Sequence, residues 1–113
     1  MGDRGNICMN MEDGNKVYLY THWGGHGLPE TLKAALIRGE ERWNDEQYLT
    51  RIIFNEMTKG REMELTGFGI STYKCDNEHD ILHVSVKDQS VSIGTRQRLS
   101  FKEFISAEEI DFS

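Results

Sequence analysis

Proline occurs once and cysteine twice in this 113-residue chain. Two thiols, Cys8 and Cys75, are too few for the disulfide framework of a small secreted protein, so the reading is of reduced cysteines in a cytoplasmic setting. The roughly 20 consecutive apolar residues that cross a bilayer are absent, so no membrane partner is expected. Residues 1–6 lack the apolar core of a signal peptide, and Asn6 stands where a myristoylation signal wants Ser or Thr. Basic excess is lacking too. Lys and Arg number 13 against 19 Asp and Glu, a net charge of -6 that excludes a general binder of duplex nucleic acid. There is no phosphate loop, no dinucleotide fingerprint, no Cys-x-x-Cys pair and no His-Glu-x-x-His helix.

What is present is a globular composition: 37% hydrophobic and 28% charged residues, enough to bury a core and too apolar for disorder. The length fits a single domain, residues 1–113. Ile7, Met9 and Met11 alternate with Cys8 and Asn10, and Val17 and Leu19 with Tyr18 and Tyr20, which is the period of half-buried strands. Asp13-Gly14 marks a hairpin between them. Placing Met9 opposite Leu19 implies an odd-length loop over residues 12–16 and leaves Tyr18, Tyr20 and His22 on the second face.

Leu28, Leu32, Ala35 and Leu36 form one helical stripe behind Pro29, and Arg38-Gly39 stops it. Asn44 with Gln47 reads as a capping box for a second helix with Tyr48 or Leu49, Ile52, Ile53 and Met57 inward, closed by Lys59-Gly60. Strands follow at residues 67–73, 82–86 and 91–93. Two further capping patterns, Ser100 with Glu103 and Ser106 with Glu109, predict a short helix over residues 101–105. The order is ββααβββα. It predicts an α+β fold: an antiparallel β-sheet with two central α-helices packed on one face and a short C-terminal helix.

Gly5-Asn6-Ile7, the run from Val17 to Gly25, Arg42-Trp43-x-Asp45-x-x-Tyr48-Leu49-x-Arg51-Ile52-Ile53-Phe54 and Thr66-Gly67-Phe68-Gly69-Ile70-Ser71 together resemble a group of small proteins of tailed bacteriophages and prophages. The likeness runs to about Val86. It carries no catalytic residue over. It implies a small accessory protein made in the host bacterial cytoplasm during infection, of a kind that often acts against host defence by binding a defence protein or sequestering its nucleotide signal.

The chemistry concentrates in the stretch from Val17 to Glu30, a strand that enters a glycine-rich loop ahead of a helix that Pro29 opens. Free N–H groups and the dipole at a helix start favour an anion, and glycines admit close approach. Tyr18, Tyr20, His22, Trp23, Gly24, Gly25 and His26 are therefore candidate ligand-binding residues, with Trp23 and the tyrosines able to stack a base. Arg38, Arg42 or Arg51 would pair with phosphate if their helices turn them that way. Against this stands a plainer reading in which the tryptophans are core anchors and the arginines a solvated face.

Cys75, His79 and His83, and His22 with His26, have soft-ligand spacing. Residues four apart on a strand lie roughly 13 Å apart, too far to share one ion. No metal or cofactor is expected, and no catalytic residue stands out. Exposed tyrosines suggest a contact surface, so a homo-oligomer is expected. The favoured expectation is a non-enzymatic protein that binds a small anionic, nucleotide-like ligand and sequesters it. The alternatives are a small acidic inhibitor that covers a host defence protein and, third, a metal-dependent or cysteine enzyme.

Overall fold

Strand β1, Gly5–Asn10, and strand β2, Lys16–Thr21, form the expected hairpin around residues 11–15. The computed structural model describes residues 2–113. Ile7 stands opposite Leu19 and Met9 opposite Val17, a register two residues from the one expected. The turn decides it. Gly14 takes φ +91°, the Asp13 carboxylate accepts the Asn15 N–H at 2.9 Å, and Met11 N–H meets Asn15 O at 2.8 Å. Because side chains alternate with a period of two, a shift of two leaves each on its expected face.

Helix α1, Leu28–Arg38, has Pro29 in its first turn and buries Leu28, Leu32, Ala35 and Leu36. Helix α2, Glu46–Thr58, starts one residue later than the Asn44 cap expected. Asp45 has the extended backbone of a cap, and its carboxylate accepts Tyr48 N–H at 3.0 Å. Leu49 rather than Tyr48 turns inward, with Ile52 and Ile53.

Strands β3, Phe68–Ser71, β4, Leu82–Ser85, and β5, Ser90–Ile93, follow as expected. A sixth strand, β6, Gln97–Ser100, is added to them. Its only apolar residue is Leu99, so no alternation announces it, and its pairing with β5 makes it a strand. Ser100 and Glu103 form a complete capping box on helix α3, Phe101–Ser106. The second pattern, Ser106 with Glu109, caps nothing, because Ala107 is extended.

The sheet order is β3-β2-β1-β4-β5-β6. All pairs are antiparallel except β1 with β4, which run parallel and make the sheet mixed. The three helices cover one face, where Ile7, Met9, Leu19, Leu82, Val84, Val91 and Ile93 join the helical stripes in one core. Trp43 is an anchor of that core. Its indole N–H donates to Leu36 O at 2.9 Å, and its ring meets Phe101 edge-on at 5.2 Å.

The parallel return has a consequence on the opposite face. Residues 72–81 must carry the chain from β3, at one edge, past β2 and β1 to β4. They cross over Asn6, whose amide donates to Cys75 O at 3.5 Å, Asp76 O at 3.3 Å and the Asn77 side-chain oxygen at 3.2 Å. Asn6 is fully buried beneath them, and Cys8, two residues on along the same face, is fully buried too. Replacing Trp43 by Ala is expected to destabilise the fold by about 3–5 kcal/mol, the usual range for emptying an aromatic core site, measured by urea denaturation.

Candidate functional site

The β2–α1 loop lies at the end of the sheet where β1 begins and β2 ends. Thr21 Oγ1 accepts Gly24 N–H at 3.2 Å, and residues Gly25–Gly27 make one 3-10 turn that leads into α1. The glycines serve the chain's own packing. A Cβ on Gly25 would lie 2.7 Å from both Asp3 O and His79 Cδ2, and one on Gly5 would lie 2.8 Å from Leu28 Cδ1. The N-terminal segment and the crossing strand-to-strand connection press on the loop at those points.

The anion that the loop was expected to bind is supplied from within. Asp3 N–H donates to His22 O at 2.7 Å, Gly25 N–H to Asp3 O at 2.7 Å, and His26 N–H to the Asp3 carboxylate at 3.1 Å. The same carboxylate accepts hydrogen bonds from His26 Nδ1 and His79 Nε2. A carboxylate only accepts, so each imidazole carries its hydrogen on the nitrogen that faces Asp3. His79 is further stacked on Phe112, with ring centroids 5.3 Å apart. These hydrogen bonds, that from His79 first and those from His26 next, hold the Asp3 carboxyl well below the usual carboxylate range. Arg4 closes the cluster on its other side, with Glu78 at 3.0 Å and Asp76 at 3.1 Å.

The sequence-chosen residues divide. Tyr20 Oη and His22 Nδ1 are 2.8 Å apart, and His22 meets Trp23 edge-on at 4.9 Å, so these three form one aromatic run into the loop. Tyr18 and Tyr20 are half-buried beside the crossing connection, and burial raises both phenol pKa values. Gly24, Gly25 and His26 lie in the loop as expected. The arginines are not brought to it. Arg38 ends α1, one helix length or about 15 Å from the loop, and pairs with Glu56 at 3.2 Å and with Ile52 O at 3.1 Å. Arg42 lies over the Tyr48 ring at 5.2 Å, and Arg51 is an exposed residue of α2.

Arg61 takes their place. Its guanidinium sits 5.4 Å from the Trp23 ring centroid and 5.7 Å from that of Phe68. Trp23, 42% exposed, forms with Arg61, Phe68, Thr21, Gly24 and Thr31 the lining of an open cleft of about 160 Å³. Arg61 also grips Glu64 with two hydrogen bonds, at 2.8 and 2.7 Å, which raise the guanidinium's pKa. Sequence reading passed over Arg61 and Asp3, and weighed His79 only beside Cys75 and His83 as a metal ligand, because each reaches the loop from a distant segment. A larger open groove, of about 520 Å³, runs past His26 between α1 and the C-terminal tail, lined by Glu30 and Glu108 and by Lys33, whose ammonium donates to Ala107 O.

Among the described residues no group of three His, Cys, Asp or Glu side chains is arranged to hold a metal ion. Cys8 and His83 are register partners on neighbouring strands, but burial pushes the thiol up and the imidazole down. Both shifts run against a thiolate–imidazolium pair. Cys75 lies 3.7 Å from Ser71 Oγ. No helix among the described residues is long and apolar enough to cross a membrane. No family model, curated protein or solved structure matches the chain.

Two outcomes follow from the Asp3 cluster. Its pKa is lowered in the fold, so its contribution is fully present above the ordinary carboxylate value of about 3.9 and is lost as the pH falls below it. Wild type is therefore expected to melt above Asp3→Asn at neutral pH, with the gap closing in acid, followed by circular dichroism. Gly25→Ala is expected to cost about 1–3 kcal/mol in urea denaturation, as the loop must move off Asp3 and His79.

Proposed function

We propose that this chain is a non-enzymatic binding protein that takes a small anionic, nucleotide-like ligand at the cleft that Trp23 and Arg61 line together. The supporting observation is a half-exposed indole with a guanidinium 5.4 Å from its ring centroid, at cation–π distance, and Phe68 beside them, all lining one open cleft. Every base has a face that an aromatic ring can stack on, and a guanidinium fork matches a phosphate or carboxylate bidentately. Glu64 already holds Arg61 in that bidentate manner, which illustrates the group the fork accepts. A half-exposed pair three residues apart in sequence is worth little, so a ligand anion can replace it.

The cleft is smaller than the roughly 300–1,000 Å³ of sites that enclose a drug-sized molecule. It takes a ring and one anionic group and leaves the remainder of the ligand outside. The phage-like sequence pattern supplies the setting we propose for it: an accessory protein of infection in the bacterial cytoplasm that sequesters a host defence nucleotide.

A second reading is a small acidic inhibitor that covers a host defence protein. The full exposure of Met63 and Leu65 favours it. A complex with a host protein that survives gel filtration and carries no small molecule would support that reading over the first.

The ligand reading is tested by native mass spectrometry, with denaturation and small-molecule analysis, after addition of cyclic dinucleotides and NAD derivatives. An intact nucleotide mass on the folded protein is expected, returned unchanged on denaturation. Titration should quench the fluorescence of Trp23, while buried Trp43 gives a constant background. Stacking on an aromatic ring is worth about 1–3 kcal/mol per base, so Trp23→Ala is expected to weaken binding by roughly five- to 150-fold. Arg61→Ala should weaken it through the anionic group. Unchanged uptake by both folded variants would overturn the site.

A further inference from the structure

The two edges of the sheet are treated differently by the sequence. At one edge β6 carries Arg98, paired with Asp88 at 3.4 Å, and runs directly into the capped start of α3. At the other edge β3, Phe-Gly-Ile-Ser, carries no charge and no proline, and no strand pairs with its outer side. Natural sheets blunt their edges with charge, proline, bulges or a covering element, because open strand edges recruit other strands. β3 itself has no charge, proline or bulge, and among the described residues no strand covers its outer side, although Arg61 lies against the Phe68 ring.

The apolar surface gathers at the same edge. Of seven exposed large apolar side chains among the described residues, Met63 at 92%, Leu65 at 101%, Ile70 at 61% and Tyr73 at 70% belong to β3 or its flanks. Trp23 is a fifth, since a Cβ on neighbouring Gly67 would lie 2.6 Å from its ring. Ile37 and Tyr48, on the helices, are the other two.

We propose that β3 pairs antiparallel with β3 of a second copy, about a two-fold axis at Gly69. The backbone phase fits this pairing. Gly67 O accepts His22 N–H at 2.9 Å and so points to β2, and by alternation Gly69 and Ser71 share that direction. The N–H and C=O groups of Phe68 and Ile70 then point outward. With Gly69 opposite itself, Phe68 of each copy exchanges both backbone hydrogen bonds with Ile70 of the other. Those two residues share the helix-bearing face, so the pairing joins sheet to sheet without mixing faces and sets an aromatic ring against a β-branched side chain.

Charge selects the occupant. Each copy carries a net charge of -6, which opposes association in general. The flanks of β3 hold both signs, with Arg61 and its partner Glu64 ahead of the strand and Lys74 after it. A surface that holds both signs complements itself across a two-fold axis, whereas a surface of one sign would repel its copy. The pairing rests on the edge and its backbone phase and does not depend on a ligand. It sets the Trp23–Arg61 cleft beside the joint.

The test is sedimentation velocity from dilute to concentrated protein without ligand, together with amide hydrogen exchange. Expected is a species of twice the 13.1 kDa chain mass, with the outward amides of Phe68 and Ile70 protected as well as that of Gly69. Ile70→Lys, which places a charge on the edge, should sediment as the monomer, and Ile37→Lys, an exposed change on α1, should remain a dimer. A monomer at all concentrations, or free exchange at Phe68 and Ile70, would overturn the pairing. Should Ile70→Lys fail to fold, the exchange measurement on wild type decides alone. Ligand uptake by a monomer would leave the cleft standing and remove the pairing, and a dimer that takes up no nucleotide would do the reverse.

Discussion

A strand that returns parallel to a central strand cannot be joined to its predecessor by a tight turn, and this constraint shapes the working end of the molecule. β4 lies parallel to β1 while β3 lies beyond β2, so residues 72–81 have to cross the sheet. Asn6 is the fastening for that crossing. It is a fully buried amide whose N–H donors are taken up by the crossing segment while its oxygen finds no partner among the described residues, so the donor side alone makes the fastening. With the crossing in place, Arg4 meets Asp76 and Glu78, and His79 arrives beside Asp3.

The glycine-rich loop is accordingly a piece of internal packing as much as a binding element. Loop N–H groups ahead of a helix attract negative charge, and here the chain provides the charge itself through Asp3. Of the two loop histidines that suggested a ligand site, His26 is held by that carboxylate and His22 turns to Tyr20, while His79 arrives from the crossing and Gly25 makes room for it and for Asp3. What remains open for chemistry is displaced to one side, where Trp23 leans away from the cluster and finds Arg61. The same indole packs over Gly67 at the start of β3, so the cleft and the unguarded sheet edge are neighbours. A small chain with one core has few concave surfaces, and the junction of a loop with an open strand edge is one of the places where a second molecule can supply the missing wall.

Much of the fold was legible along the chain because it is written in local periodicity. The stripe of Leu28, Leu32, Ala35 and Leu36, the alternation about Ile7 and Leu19, and the Ser100–Glu103 cap each depend on residues within a few positions of one another. The Asp45 cap shows the limit of that reading, since Asn44 with Gln47 and Asp45 with Tyr48 have the same spacing and only backbone geometry separates them. β6 shows another, because Gln97, Arg98 and Ser100 are a strand only by virtue of β5 beside them.

The site divides along the same line. By itself the sequence determined that an aromatic, glycine-rich loop would stand between a strand and a helix start, and it marked Trp23 there, since the order of residues along a strand, loop and helix is a local property. Tertiary structure alone decided which charges meet that loop. Arg38 ends α1 and Arg42 lies in the connection from α1 to α2, positions that send them to Glu56 and Tyr48, while Asp3, His79 and Arg61 come from segments far away in sequence. No periodicity relates residue 3 to residue 79. Their meeting is fixed by the parallel β1–β4 pair and the crossing it forces, a long-range arrangement that stability of the whole core selects.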